Sequence, residues 1–389
     1  MADSSSRSLW RRVDARLCSL RENGLLRTLR TPSGIDLSSN DYLGLANDPR
    51  IKQALIEAVA REGAGSTGSR LLRGQRDSFA AIEERFARFK GTERSLYFSS
   101  GYLANLAVMT TFAEPDDVIV SDERNHASLI DGIRLSAARR EIVPHNDVAA
   151  VRRAIGAGVA GRAGGAGGER FLVVESLFSM DGDEAPLGKY AEMCAATGAH
   201  LIVDEAHAVG IYGVRGSGLL EEHGVADRVL LSVNTAGKAL GVAGAFVAGP
   251  AWAIDYLIQR ARPFIFSTAP PPALAAALGA SLDIVEQEPW RRAALRERAE
   301  RLRGRLRAEG VPVNPGTSHI VPVIIGDNGS AVAVAQEMQA EGFDVRAIRP
   351  PTVPPDTARL RISVNLNLTD DVIERFVGSL AAALAASTT

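Results

Sequence analysis

Leu201-Ile202-Val203-Asp204-Glu205-Ala206-His207 is the stretch from which the rest of this chain can be read. Three apolar residues without a polar break form the pattern of a short strand buried on both faces of a parallel sheet. The run ends on a carboxylate, and open α/β sheets bind ligands beyond the carboxyl ends of their strands. A second apolar run, Val229-Leu230-Leu231, leads into Thr235-Ala236-Gly237-Lys238 and so puts a lone lysine in a loop of small residues. Working outward, Leu96–Phe98, Val118–Val120, Phe171–Val174, Leu230–Val233 and Phe246–Ala248 repeat the strand pattern, with helical stretches between them. Strands alternating with helices predict an α/β fold with a mainly parallel central sheet covered on both faces.

Outside this core the pattern changes. Val13, Leu17 and Leu20 recur at helical spacing, which predicts an arm helix over Trp10–Leu29. A charge-rich helix over Pro289–Glu309, two further strands (Ile320–Ile325 and Leu360–Val364) and two further helices predict a small α+β C-terminal domain. The expected organisation is an arm over 1–45, a large domain over 46–286 and a small domain over 287–389. Gly156 to Gly168, almost all Gly and Ala, reads as a surface connection.

Composition narrows the function classes. A net charge of −2 offers no global attraction to nucleic acid or to an anionic membrane. No apolar run approaches the roughly 20 residues of a membrane span. The N-terminus has arginines but no apolar h-region, so a soluble cytoplasmic protein is expected. Cys18 and Cys194 lie too far apart in sequence to suggest a zinc motif, and no metal is expected.

A carboxylate at one strand end and a lysine at another are the two groups a pyridoxal phosphate (PLP) enzyme must supply. The lysine tethers the cofactor as a Schiff base, and the carboxylate keeps the pyridine nitrogen protonated. His207, three residues after Asp204, could donate to a phenolate-type oxygen, and His126 could stack on a flat ring. Ser99-Ser100-Gly101-Tyr102 lies between a strand and a helix, where backbone N–H groups can meet a phosphate; Ser176 and Thr235 could add hydroxyls. Two other motifs mislead. Asp204-Glu205-Ala206-His207 spells a helicase acidic box, yet the chain has no GxxxxGK[ST]. Gly63 to Gly68 matches GxGxxG but follows a helical pattern instead of a strand.

In their order the motifs resemble the α-oxoamine synthases of PLP fold type I, from about Asp36 to Leu368. They are Leu37-Ser38-Ser39-Asn40-Asp41-Tyr42-Leu43-Gly44, Gly68-Ser69-Arg70-Leu71-Leu72-Arg73-Gly74, Asn125-His126-Ala127-Ser128, Phe178-Ser179-Met180-Asp181-Gly182-Asp183, Gly237-Lys238-Ala239-Leu240-Gly241 and Arg349-Pro350-Pro351-Thr352-Val353-Pro354. The resemblance implies a homodimeric acyltransferase with shared active sites. In it Lys238 is both tether and base, Asp204 pairs with the pyridinium, His207 meets the ring's 3-oxygen and His126 stacks on the ring. Gly101, Tyr102, Ser176 and Thr235 hold the phosphate, and Ser267 and Thr268 reach the phosphate of the neighbouring subunit. Arg361 takes the amino acid carboxylate, Asn40 and Thr352 line the substrate site, and Arg27 meets the distal carboxylate of the acyl group. The run Glu175–Leu187 resembles the branch that condenses L-alanine with a pimeloyl thioester of coenzyme A or a carrier protein. Sister branches, which use glycine or serine with another acyl-CoA, are the alternative. One departure from the family is Ser363-Val364-Asn365-Leu366-Asn367, where Ala-Ala-His-Thr is common.

Overall fold

The computed structural model describes residues 3–156 and 168–387, so most of the Gly/Ala-rich connection lies outside the described residues. The strands in chain order are β1 (Ile35–Asp36), β2 (Arg94–Phe98), β3 (Val118–Asp122), β4 (Arg139–Val143), β5 (Arg170–Glu175), β6 (His200–Asp204), β7 (Leu231–Thr235), β8 (Ala245–Gly249), β9 (Ile320–Gly326), β10 (Phe343–Asp344), β11 (Ala347–Ile348) and β12 (Ala358–Ser363). The chain divides into two units, one of Asn40–Ser179 with Asp183–Ala294, the other of Met1–Ser39, Met180–Gly182 and Leu295–Thr389.

The first unit holds a seven-stranded sheet in the order β2-β8-β7-β6-β5-β3-β4. All its pairings are parallel except those of β8, which runs antiparallel to β2 and β7. β5 and β6 are buried or nearly so along their whole length, as their unbroken apolar runs require. From β3 the chain steps outward to β4 and then returns to the other side of β3 as β5, so the order reverses between β3 and β5. Such a switch point opens a crevice at the carboxyl ends of the strands. The residues there are Asp122 on β3, Glu175 on β5 and Asp204 on β6.

Two helices frame that crevice. Helix Gly101–Phe112 starts from Ser100, whose hydroxyl caps it by accepting the N–H of Leu103 at 3.2 Å. Helix Ala127–Leu135 packs closely against it, because a Cβ on Gly132 would sit 2.9 Å from Cβ of Met109. Ala104, Ala107, Val108 and Met109 of the first helix and Leu129 and Ile133 of the second enter one core with Ile119, Val173, Ile202 and Val233 of the sheet. The close approach permitted by Gly132 also brings Ser128 within hydrogen-bond reach of Asn105.

The second unit contains the three-stranded antiparallel sheet β11-β12-β9 and the parallel pair β1-β10. Its arm helix spans Asp3–Glu22 and stops short of the predicted Leu29. Gly24 takes a left-handed φ of 65°, and Leu25 N bonds back to Leu20 O at 2.7 Å, a closure that ends helices. Leu9, Trp10, Val13, Leu17 and Leu20 on this helix are exposed. No helix among the described residues is long and apolar enough to cross a membrane.

Candidate active site

Asp204 is buried at the end of β6. Its Oδ1 accepts the backbone N–H of Ala206 at 2.8 Å, and its Oδ2 accepts the amide of Asn105 at 2.7 Å. Three residues on, buried His207 places Nε2 2.8 Å from Nζ of Lys238 and Nδ1 2.7 Å from the hydroxyl of Tyr42. That hydroxyl lies 2.8 Å from Oδ1 of Asn40. Asn40, Tyr42, His207 and Lys238 thus form one continuous polar chain. Tyr42 has a single proton to give, so the tautomer of His207 decides whether Asn40 or the imidazole receives it.

Glu175, at the end of β5, is the ladder partner of Asp204. Its carboxyl is buried, and one of its oxygens has no hydrogen-bond partner among the described residues. Burial above all, then the neighbouring Asp204 charge, push its pKa up to about 8, against the opposing charge of Lys238 and backbone N–H groups of His126 and Ser179. The crevice therefore carries two carboxyl groups in different settings, Asp204 hydrogen-bonded by two donors and Glu175 holding its proton near neutral pH.

His126 caps helix Ala127–Leu135 with its side chain, Nδ1 accepting the N–H of Ser128 at 3.2 Å. The ring keeps exposed surface for a stacking partner. The enclosed part of the ring is enough for burial to lower its pKa; Lys238 lowers it further and Asp204 opposes both.

Candidate donors for a phosphate lie at the start of helix Gly101–Phe112, at the end of β7 and directly after β5. A side chain on Gly101 would collide with Oγ1 of Thr235, so the helix N-terminus and the end of β7 meet there only because residue 101 is glycine. Ser176, directly after β5, is fully buried with a hydroxyl that has no partner among the described residues. An unpaired buried hydroxyl costs free energy unless a ligand satisfies it. A helix N-terminus, Thr235, Ser176, a carboxylate and a lysine beside an imidazole are a donor set that fits PLP. The side chain of Tyr102 is exposed and its hydroxyl donates to Asp131, which leaves its backbone N–H as the group it offers to the crevice. Ser267 and Thr268 follow helix Arg262–Ile265 beside the exposed Phe266, and no hydrogen bond joins them to this cluster among the described residues.

The other expected substrate residues belong to the second unit. Arg361 is buried on β12 and donates through Nη1 to the hydroxyl of Ser363 at 2.7 Å. Ser363 thus helps to orient Arg361. Thr352 is exposed, its N–H bonded to the carbonyl of Arg349 at 3.1 Å. Arg27 lines a cavity of about 620 Å³ together with Arg30, Arg346 and Arg349. Arg349 reaches the carbonyls of Gly24 and Leu26, Arg346 pairs with Asp344, and Arg30 donates to Gln339. Arg27 makes no hydrogen bond or ion pair among the described residues, and together with burial its charge depresses the pKa of Arg349.

A histidine outside the expected set braces the crevice. His145 lies between two carboxylates, Nδ1 2.9 Å from Asp122 and Nε2 2.7 Å from Asp183, with its ring edge-on to Phe178. Although burial works against it, the hydrogen bonds to Asp122 and Asp183 and their charges raise its pKa to about 9. A raised pKa stabilises the fold fully below the ordinary 6.5 and ceases to do so as pH rises through about 9. His145→Gln is expected to cost on the order of 2 kcal/mol at pH 6.5 and little above pH 9. Thermal midpoints of both proteins at the two pH values check this, and an equal gap at both would refute it.

Sequence reasoning gave no role to Tyr42, Asn105, Ser128 or His145, although Tyr42 and Ser128 lie inside recognised motifs. Glu175 was visible only as one of several polar residues that close strand-like runs, without a specific role.

The fold and the strand-end cluster define a PLP-type transferase. Residues 32–380 match the model for aminotransferase class I and II, and the chain belongs to that family and, within it, to the α-oxoamine synthases. An 8-amino-7-oxononanoate synthase from Anaeromyxobacter dehalogenans is 45% identical over 351 residues, 90% of this chain and 86% of that one. A serine palmitoyltransferase from S. paucimobilis, solved with a bound PLP–myriocin aldimine, superposes with a TM-score of 0.89 at 28% identity over 98% of both chains. An 8-amino-7-oxononanoate synthase structure from Francisella tularensis gives a TM-score of 0.77 at 29% identity over 92% of this chain and 99% of that one.

Proposed function

We propose that this chain is a PLP-dependent acyltransferase of biotin biosynthesis that condenses L-alanine with a pimeloyl thioester to give 8-amino-7-oxononanoate. The alanine Cα gives up its proton and forms a C–C bond to the acyl carbonyl carbon. The thioester C–S bond breaks as it does so, and the thiolate leaves, to be protonated to the thiol. The carboxylate then leaves as carbon dioxide, and the same carbon takes up a proton. The observation that carries this reading is 45% identity to an 8-amino-7-oxononanoate synthase over 90% of the chain.

When bound, PLP supplies an electron sink for charge developing at Cα. In this proposal Lys238 tethers the cofactor and then takes the Cα proton. Asp204, held by Asn105 and Ala206, accepts the pyridinium N–H, and His207 stands beside the lysine. Ser176, Thr235 and the N-terminus of helix Gly101–Phe112 hold the phosphate. His126 covers the ring face, Arg361 takes the amino acid carboxylate, and Asn40 and Thr352 line the substrate.

Arg27, which among the described residues is the one cavity arginine without a protein partner, receives the distal carboxylate of the acyl chain. Its replacement by alanine is expected to raise KM for the pimeloyl thioester about 10- to 100-fold, as loss of a charged hydrogen bond does, with kcat for L-alanine turnover little changed. A fall in kcat with KM unchanged would argue against that role.

The proposal includes a cytoplasmic homodimer. The exposed apolar face of the arm helix and exposed Phe266, beside Ser267 and Thr268, are surfaces that a second copy could cover. A serine-using reaction has one observation in its favour, the close superposition on serine palmitoyltransferase. Thiol release measured with alanine, glycine and serine against pimeloyl, succinyl and palmitoyl thioesters separates the readings. Activity confined to serine with the palmitoyl thioester, or to glycine, would overturn the assignment to L-alanine.

A further inference from the structure

We propose that Asn105 and Ser128 are positioning residues that transmit the charge of Asp204 to His126 and fix its imidazole as the neutral tautomer with the proton on Nε2. The inference rests on the cofactor reading only for Asp204 being a carboxylate, and it is independent of which amino acid or thioester is used.

The chain of argument begins at Asp204. Asn105 and Asp204 are 99 residues apart in sequence and meet at 2.7 Å. A carboxylate only accepts, so the group of Asn105 that faces it must be the amide NH2; the flipped amide would set oxygen against oxygen. The same nitrogen lies 2.9 Å from Oγ of Ser128 and gives it the second amide proton. Ser128 is fully buried and already accepts from Asn105, so its own hydroxyl proton needs another acceptor. Nδ1 of His126 lies 2.7 Å away. The backbone N–H of Ser128 points at that same Nδ1, at 3.2 Å.

Two donors therefore converge on Nδ1, and a proton there would leave the Ser128 hydroxyl and the helix-capping N–H without their acceptor. His126 stays neutral with its proton on Nε2, and the ring presents an N–H donor and no positive charge. The lowered pKa of His126 agrees with this state. What this arrangement achieves is directional. A negative charge at one side of the crevice orders an amide, the amide orders a hydroxyl, and the hydroxyl orders an imidazole.

The test is ¹⁵N NMR of the PLP-loaded full-length protein labelled at histidine. The chain has only six histidines, and His126→Gln identifies the signal that belongs to His126. The expected spectrum at neutral pH shows His126 with Nε2 protonated and Nδ1 unprotonated. In Ser128→Ala and in Asn105→Ala the ratio of the two tautomers is expected to move about tenfold toward Nδ1–H, the effect of losing one buried neutral hydrogen bond. An imidazolium or an Nδ1–H tautomer in the wild type overturns the proposal, as does an unchanged ratio in Ser128→Ala. The wild-type spectrum decides even if neither variant folds. A protein with the expected tautomer but no turnover of L-alanine would overturn the substrate assignment alone.

Discussion

Lys238→Ala is expected to lower thiol release from the pimeloyl thioester by at least about 10³- to 10⁴-fold, the upper range for loss of a positioned acid–base group, with little change in thermal midpoint. The chain has four lysines, and their surroundings separate them. Lys52 and Lys189 are exposed. Lys90 is buried but engaged by Glu205 and by the carbonyl of Ser217. Lys238 alone is half-buried at a strand end with an imidazole nitrogen 2.8 Å away. Its removal leaves His207 still bonded to Tyr42. Lys238→Arg is expected to fail equally, because a guanidinium neither forms the tether nor gives up its proton. Borohydride reduction followed by peptide mass spectrometry is the structural check. A pyridoxyl group fixed on Lys238 in the wild type and on no lysine in Lys238→Ala is the expected pattern. The same label on Lys52, Lys90 or Lys189 would remove Lys238 from its role.

Much of the fold was legible because the central strands are buried on both faces and advertise themselves as unbroken apolar runs. The exception is β4, Arg139–Val143, which begins with two arginines. It is an edge of the sheet, pairing only with β3, and its first three residues, Arg139, Arg140 and Glu141, break the apolar run. The antiparallel direction of β8 was equally invisible, since Phe246–Ala248 looks the same in either sense. At the site, polar residues that close strands could be found because strand ends have a known use. The residues that orient them could not. Tyr42 meets His207 across 165 positions and Asn105 meets Asp204 across 99, and both sit in segments whose local pattern asks only for a turn or a helix. Ser100, read as part of a phosphate loop, spends its hydroxyl on capping its own helix, a use that the same residue type serves equally well.

Asp204→Asn is the second large effect and separates catalysis from stability. On the proposed role, kcat should fall about 10²- to 10⁴-fold, because an amide cannot hold a proton on the pyridine nitrogen and the sink for carbanion charge is lost. The fold should respond mainly through hydrogen bonding. Asp204 and Glu175 are neighbours across the β5–β6 ladder, and the negative charge of Asp204 helps to raise the pKa of Glu175. Glu175 holds its proton near neutral pH, so neutralising residue 204 relieves little repulsion there, while an amide NH2 in place of one carboxylate oxygen faces a donor, either Asn105 or the N–H of Ala206. The mismatch costs about 1–3 kcal/mol, so the thermal midpoint should fall modestly. The pH dependence isolates the electrostatic part. A protonated Glu175 supports the wild-type fold fully below its ordinary pKa of 4.5, and that support is lost as pH rises through about 8. With Asn at 204 the pKa of Glu175 should drop back toward what burial alone imposes, so the variant should lose less stability than the wild type between pH 5 and pH 8. A variant that keeps more than about a tenth of wild-type kcat would contradict the role of Asp204, given the factors cited for such groups. An unchanged pH slope would show instead that Glu175 takes its raised pKa from burial and not from its neighbour.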